Sequence, residues 1–515
     1  MTEMVVLDST RYMFAWYSGG AAKFLTPLIR YLREHHGIGT VLFVYGKALL
    51  PRDGEGGFDR SAYVEIVDVE PTLRARLPHD LPSSADLARR AADFERRVGR
   101  TVPDILRTDR HLGIGYVTNA EFHRSTYSLT TNYSQSIDIV LRLADLYQGK
   151  LEKYKPIVSY GHPGSIAPAT LISLTNSLGV PMRALRRTLR GDKLAWVENQ
   201  YFAPIGFQEA YASAAKRLEE TVEVGGHPPV LETSLMAKKR QDDFVKEGSV
   251  RRLLYYLYYE VRRTLRRWVK HPDRVYGHYL TSHVVRHIIQ QWLWHRRAMR
   301  EDPVMPTLAT DIPFIFFPLH VEPEATLMVE SDMPGDQIAM IDWLAKGAPG
   351  GWLVLVKEHP GASSPRPPGF WRQVRAYPNV VVLSTRERAE EIVEKAAAVA
   401  TISGTTGIQA AAFGTPVIAF NRRYLGCHMP HIYYSGSLHR TQELLLQIRD
   451  GDLPSQDERR RGAQAFLDAY DAVGFEISDY SMLRGGSIGA LPRERDIQIL
   501  RWQRRLARAS GSRPA

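Results

Sequence analysis

The chain has 515 residues, 44% of them hydrophobic and 24% charged. That is the composition of an ordinary globular protein, with length for two or three domains, and it argues against a disordered or bilayer-embedded chain. A single cysteine, Cys427, excludes an internal disulfide and suits a reducing cytosol, and the net charge of +11 has to be located before it means anything.

The opening residues lack a basic segment followed by a long apolar core, so no secretory signal is expected. No run nears the roughly 18 to 20 apolar residues that span a bilayer. Residues 4–7 and 13–16 are short apolar runs, followed by a Tyr17–Ser18–Gly19–Gly20 turn. Residues 21–35 carry Phe24, Leu25, Leu28, Ile29 and Leu32 at helical spacing, and residues 40–45 read as the next strand. This is a Rossmann-like opening in which Ser18, Gly19 and Gly20 stand at a ligand edge or form a plain tight turn. Residues 63–69 read as a strand and 85–97 as a charged helix; Asp109-Arg110 follows, and Asp109 is either a base or half of a surface ion pair.

Residues 134–152 predict an amphipathic helix, 156–160 a strand, 167–178 a helix and 180–185 a strand. The alternation from 4 to 185 predicts one α/β domain. His162 follows the strand at 156–160; a neutral imidazole there suits removal of a proton from a hydroxyl, or the ring is simply bonded within its loop. Residues 250–270, VRRLLYYLYYEVRRTLRRWVK, form a basic amphipathic helix, and 284–297 and 493–508 repeat the theme. Arginines and tyrosines beside an apolar stripe suit an anionic membrane surface, or the stripe packs on the protein's own core. No nucleic-acid motif accompanies the charge, so no nucleic-acid partner is expected.

Five further strands are expected at 314–317, 352–357, 380–383, 397–402 and 417–420, with helices at 336–346, 386–395 and 408–413 between them and more helix at 443–448 and 456–470. Three of the strands end in chemistry. The first leads to His320, Glu322 and Glu324. The second ends in Lys357, followed by Glu358-His359-Pro360. After the fourth comes Ser403-Gly404-Thr405-Thr406-Gly407, opening a helix that carries Gln409. A helix N-terminus with glycines and hydroxyls suits a phosphate; the bland reading is that Ser and Thr cap the helix. In a parallel sheet these strand ends share one edge. His428 follows the last strand as a further donor-side candidate. No Asp-x-Asp pair stands at a strand end, and no metal is expected.

FFPLHVEPEATL, LVKEHP and TISGTTGIQAAAFGTPVIAF resemble the C-terminal half of the capsule polysaccharide biosynthesis family, clearly over about residues 314 to 434. That family includes bacterial β-Kdo transferases and related surface-carbohydrate glycosyltransferases of GT-B architecture. The resemblance implies an α/β, GT-B-like fold. Two Rossmann-like domains face a cleft: an acceptor domain at 1–235 and a nucleotide-sugar domain at 306–440. A basic helical insertion at 236–305 lies between them, and 441–515 supplies late helices and a basic tail. It implies a nucleotide-sugar cosubstrate, CMP-linked by the His-Pro after a strand, with no cofactor, and a glycan or glycolipid acceptor. Donor phosphate contacts fall to His320, Lys357, His359, Ser403, Gly404, Thr405, Thr406 and Gln409, and candidate catalytic groups are Asp109, His162, Glu322 and Glu324. Such enzymes usually carry Glu where this chain has Gln409. The expected place is the cytoplasm, against the inner membrane through residues 250–270 and 493–508. A polyol-phosphate transferase of teichoic-acid type and a non-catalytic export subunit are the alternatives.

Overall fold

The computed structural model describes residues 11–17, 22–47, 50–51, 53–54, 58–109, 112, 131–189, 193–220, 249–270, several positions between 285 and 296, 312–322, 324–332, 336–359, 366, 369–384 and 387–476. Ser18 to Gly20 and the basic stretch at 493–508 lie outside the described residues.

The first sheet grows from β1 (Arg11–Trp16), which pairs in parallel with β2 (Ile38–Val44) on one side and β4 (Val158–Tyr160) on the other. β3 (Glu65–Asp68) extends the β2 side and β5 (Met182–Arg187) the β4 side, both parallel. Two antiparallel additions, β6 (Lys193–Val197) and β13 (Phe475–Glu476), finish that side, giving the order β13-β6-β5-β4-β1-β2-β3. β2 is buried at every residue, as a strand covered on both faces must be. Its covers include α1 (Ala22–His36) on one side and α2 (Ser84–Val98), α3 (Tyr133–Tyr154) and α4 (Ile166–Ser177) on the other. α3 begins with a reciprocal cap: Asn132 accepts the Gln135 backbone N–H, and the Gln135 side chain accepts that of Asn132.

The second sheet is parallel throughout, in the order β12-β11-β10-β7-β8-β9. Its strands are β7 (Phe314–Pro318), β8 (Leu353–Lys357), β9 (Val380–Leu383), β10 (Ala398–Thr401), β11 (Val417–Ala419) and β12 (Ile432–Tyr434). Five were expected from the sequence. The sixth, β12, is three residues long and has only one buried position, too short to show a pattern.

The strand order reverses between β7 and β10 in this sheet, and between β1 and β4 in the other. Chains leaving two neighbouring strands in opposite directions open a crevice beyond their carboxyl ends. The β4–α4 turn shows how tight the first of these is. Gly161 has φ 151°, and a Cβ there would sit 2.7 Å from the Trp16 Cβ.

β6 and the helix after it, α5 (Phe207–Glu219), were not anticipated. α5 leaves the first sheet and packs on the second: Phe207 is buried among Phe466, Tyr470 and Met429. The chain later runs back. α11 (Gln456–Val473) lies along α5, and β13 then pairs with β6. Lys193 meets Asp471 at 3.1 Å and Arg217 meets Asp468 at 2.6 Å along this return.

Candidate functional site

A cavity of about 380 Å³ lies at the β7/β10 switch point. His320, Glu324, Lys357, His359, Ser403, Gly404, Thr405, Thr406 and Gln409 line it, so nine of the residues singled out from the three strand ends converge. The opposite wall is Arg186, Arg187, Thr188 and Leu189, from the end of β5 in the first sheet. The cavity is therefore a crevice between the two sheets. Arg186 is held there by Glu330 of the second unit at 3.3 Å and by the ring of Phe202. Arg107 adds a 3.4 Å bond to the Ser331 carbonyl.

The floor is the start of α9 (Thr405–Ala412). Its N-cap is Gly404, and no side chain caps it. Ser403, one of the hydroxyls expected as an alternative cap, points elsewhere: its Oγ donates to the Thr326 carbonyl at 3.1 Å, while Thr401 Oγ1, at the end of β10, accepts the Gly404 N–H at 3.0 Å. The first backbone N–H groups of the helix thus face the crevice with the helix dipole behind them. Small residues make this approach possible. A Cβ at Gly404 would lie 3.2 Å from His320 Nε2, and one at Gly407 2.7 Å from the Tyr424 hydroxyl.

His320 is buried, and its Nε2 accepts the Ser403 backbone N–H at 3.3 Å. An accepting Nε2 leaves the proton on Nδ1, which has no hydrogen-bond partner among the described residues. Burial, with His359 and Arg366 nearby, pulls the imidazole down to about 3, so it is neutral. Lys357 ends β8, also buried, and burial pulls its ammonium down to about 8 against the attraction of Glu358, Glu390 and Glu387. His359 follows, its N–H donating to Glu358 Oε1 at 2.8 Å.

Other candidates stand apart. Glu322 does not line the cavity: it is tied to Arg366 at 3.3 Å and accepts from the Gln337 side chain at 2.5 Å, and burial pushes its carboxyl up. Asp109 is fully buried in the first unit, where its carboxylate accepts the Leu112 N–H. His162 stacks on Phe202 at the first unit's own switch point. His428 packs against Phe207 and Tyr211, and Cys427, raised to about 12 by burial, is a poor nucleophile. Sequence reasoning missed Arg186, Arg187 and Thr188, although the strand at 180–185 had been recognised and the same strand-end rule applied to it. Gln337 and Arg366 carried no local signal.

Comparison with curated proteins gives no match. Among solved structures, MnaA of S. aureus with UDP is 9% identical over 96% of this chain and 97% of its own, with a TM-score of 0.30. A β-Kdo 2,7 transferase of Thermosulfurimonas dismutans is 14% identical over 62% of this chain and 80% of its own, at 0.29. A UDP-GlcNAc 2-epimerase of Neisseria meningitidis bound to UDP-GlcNAc is 10% identical over 90% and 98%, at 0.27. Residues 228–427 match the family model described as capsule polysaccharide biosynthesis protein, a stretch that contains β7, β8, β10 and the opening of α9. Over that stretch, about two-fifths of its length, the chain is similar to the capsule polysaccharide biosynthesis family.

Proposed function

We propose that the chain is a glycosyltransferase of surface-polysaccharide assembly that takes its sugar from a nucleotide donor, a CMP-linked one by preference. The observation that carries this reading is the uncapped N-terminus of α9, facing Lys357 and His359 across one crevice. A departing nucleotide phosphate gains negative charge as the glycosidic bond breaks. Fixed backbone N–H groups, an ammonium and an imidazole aimed at it stabilise that charge without reorganising. His320 contributes its Nδ1–H as a neutral donor. Charge stabilisation is assigned to these protein groups rather than to a metal. Glu324 lines the cavity and is the nearest candidate among the four for deprotonating an acceptor hydroxyl; Gln409 is placed to bond sugar or ribose hydroxyls. The acceptor, a glycan or glycolipid, would enter from the wall carrying Arg186 to Leu189.

We assign the enzyme to the cytoplasmic face of an anionic membrane, touched through α6 (Val250–Lys270). Among the described residues no helix is long and apolar enough to cross a membrane.

Calorimetry with CMP, CDP, UDP and GDP tests the site. CMP binding that weakens by about 1.5–3 kcal/mol in His359→Ala is expected, the scale of a hydrogen bond to a charged group. UDP or GDP bound in its place removes the CMP preference. A CDP-alditol turned over instead transfers the reading to a polyol-phosphate transferase, and no nucleotide bound at all overturns the enzyme in favour of a non-catalytic subunit.

A further inference from the structure

Arg366 is buried beside the crevice but does not line it. Its guanidinium forks onto Glu358, Nε to Oε2 at 2.8 Å and Nη2 to Oε1 at 2.6 Å. Nη2 also donates to the His320 carbonyl at 2.7 Å, and Nη1 stands 3.3 Å from Glu322. Glu358 in turn accepts the His359 backbone N–H, while Gln337 bridges Glu322 to the His320 backbone, accepting its N–H at 2.7 Å. Each chain of contacts from the guanidinium ends on the backbone of one of two histidines, at the ends of two adjacent strands.

Two buried carboxylates against one guanidinium are a poor device for stability. Desolvating three charges costs several kcal/mol per ion, and uncharged groups of the same volume often hold a core as well or better. The planar fork offers geometry instead, because five donors in a rigid plane fix the relative placement of whatever they bind. We propose that Arg366 is a positioning residue, setting His320 and His359 at the separation and orientation in which both address one anion in the crevice. This rests on the crevice being a nucleotide site.

The test compares the full-length chain with Arg366→Lys and with the triple variant Arg366→Met, Glu322→Gln, Glu358→Gln, which removes all three charges together. Two readouts apply: CMP binding by calorimetry, and the ring-nitrogen shifts of His320 in protein labelled with ¹⁵N-histidine. Native His320 is expected as the Nδ1–H tautomer with no titration near neutral pH. In the triple variant a mixture of tautomers is expected, and in both variants CMP affinity falls by about tenfold or more, the scale of a misplaced charged hydrogen bond. A triple variant that folds, keeps the native tautomer and binds CMP like the parent overturns the proposal. Should the triple variant not fold, Arg366→Lys decides by the same readouts, parental values overturning the proposal. If the parent chain binds no nucleotide, the site reading fails, and the positioning claim is judged by the His320 tautomer alone.

Discussion

Lys357 and His320 meet the same crevice in different electrical states, and their pH behaviour should differ accordingly. Burial lowers Lys357 to about 8. Its ammonium is present below that pH and lost above it. A bound anion restores the charged form, so binding above pH 8 takes up a proton. Once the CMP phosphate is fully ionised, near pH 7, CMP affinity should hold level until Lys357 begins to titrate and then fall by up to about tenfold per unit above pH 8. Calorimetry in buffers of different ionisation enthalpy detects the proton, and Lys357→Met should flatten the fall. For the unliganded protein the sign reverses: between 8 and the ordinary lysine value of 10.5 the unfolded chain holds more protons, so stability rises with pH across that window. His320 is lowered to about 3 and stays neutral throughout. His320→Gln should weaken CMP while leaving the pH profile unchanged; a profile that moves with it would mean the imidazole carries charge. Those strand-end residues were legible because a strand's end is a local feature of sequence. Arg366 was not, since it is significant only once the fold sets it against Glu358, eight residues earlier in the chain. Asp109 and His162 show the converse, polar residues conspicuous in sequence that the fold places outside the crevice.

At the scale of elements, α9 depends on a glycine that is helical rather than left-handed. Alanine at Gly407 would gain helix propensity of up to about 1 kcal/mol. The added Cβ would also meet the Tyr424 hydroxyl at 2.7 Å and Thr401 Cγ2 at 2.8 Å, and that hydroxyl is bonded to the Gly404 carbonyl. Overpacking of this kind costs about 1–3 kcal/mol and should win. Gly407→Ala is expected to lower the urea midpoint and, by tilting the N-terminus, CMP affinity as well. α6 presents a different balance. Val250, Leu254, Tyr258, Val261 and Leu265 fall on one stripe at 100° per residue, and all are more than half exposed. Exposed Arg251 and Arg262 run beside it, while the flank carrying Leu253, Leu257 and Glu260 is the more covered one. Leu254→Asp with Leu265→Asp removes two side chains worth about 1.5–3 kcal/mol each on burial. It should release the protein from phosphatidylglycerol vesicles in a flotation assay, whereas neutral phosphatidylcholine should bind neither form. Equal flotation of parent and variant would remove the membrane assignment. The amphipathic period was plain in the sequence; which part of the stripe is left uncovered was not, because that depends on what the rest of the chain brings to it.

Across the whole molecule, each unit has its own switch point, and among the described residues the groups proposed to bind phosphate gather at the second. The first supplies one short wall, Arg186 to Leu189. The two-sheet architecture could be read from alternating apolar runs because each βαβ step is local. The return path could not: α5 packs with α11 and β13 closes the first sheet by pairing residues far apart in the chain. Phe475, buried against Trp196, should matter out of proportion to a two-residue strand. Phe475→Ser is expected to lower stability by about 3 kcal/mol, at the lower end for a buried aromatic, and limited proteolysis should then cut near β6 before it cuts the second sheet.

That return path bears on how such proteins could exchange halves. A single crossover between the two sheets would carry α5 with one parent and its packing partner α11 with the other, and would leave β6 facing a foreign β13. A working chimera needs a second crossover near residue 474, plus matched surfaces where Arg217 meets Asp468 and Lys193 meets Asp471. Inheritance of the first unit, which β13 completes, is therefore discontinuous in the gene, whereas the second sheet and the groups proposed to bind nucleotide sit in one compact block of sequence.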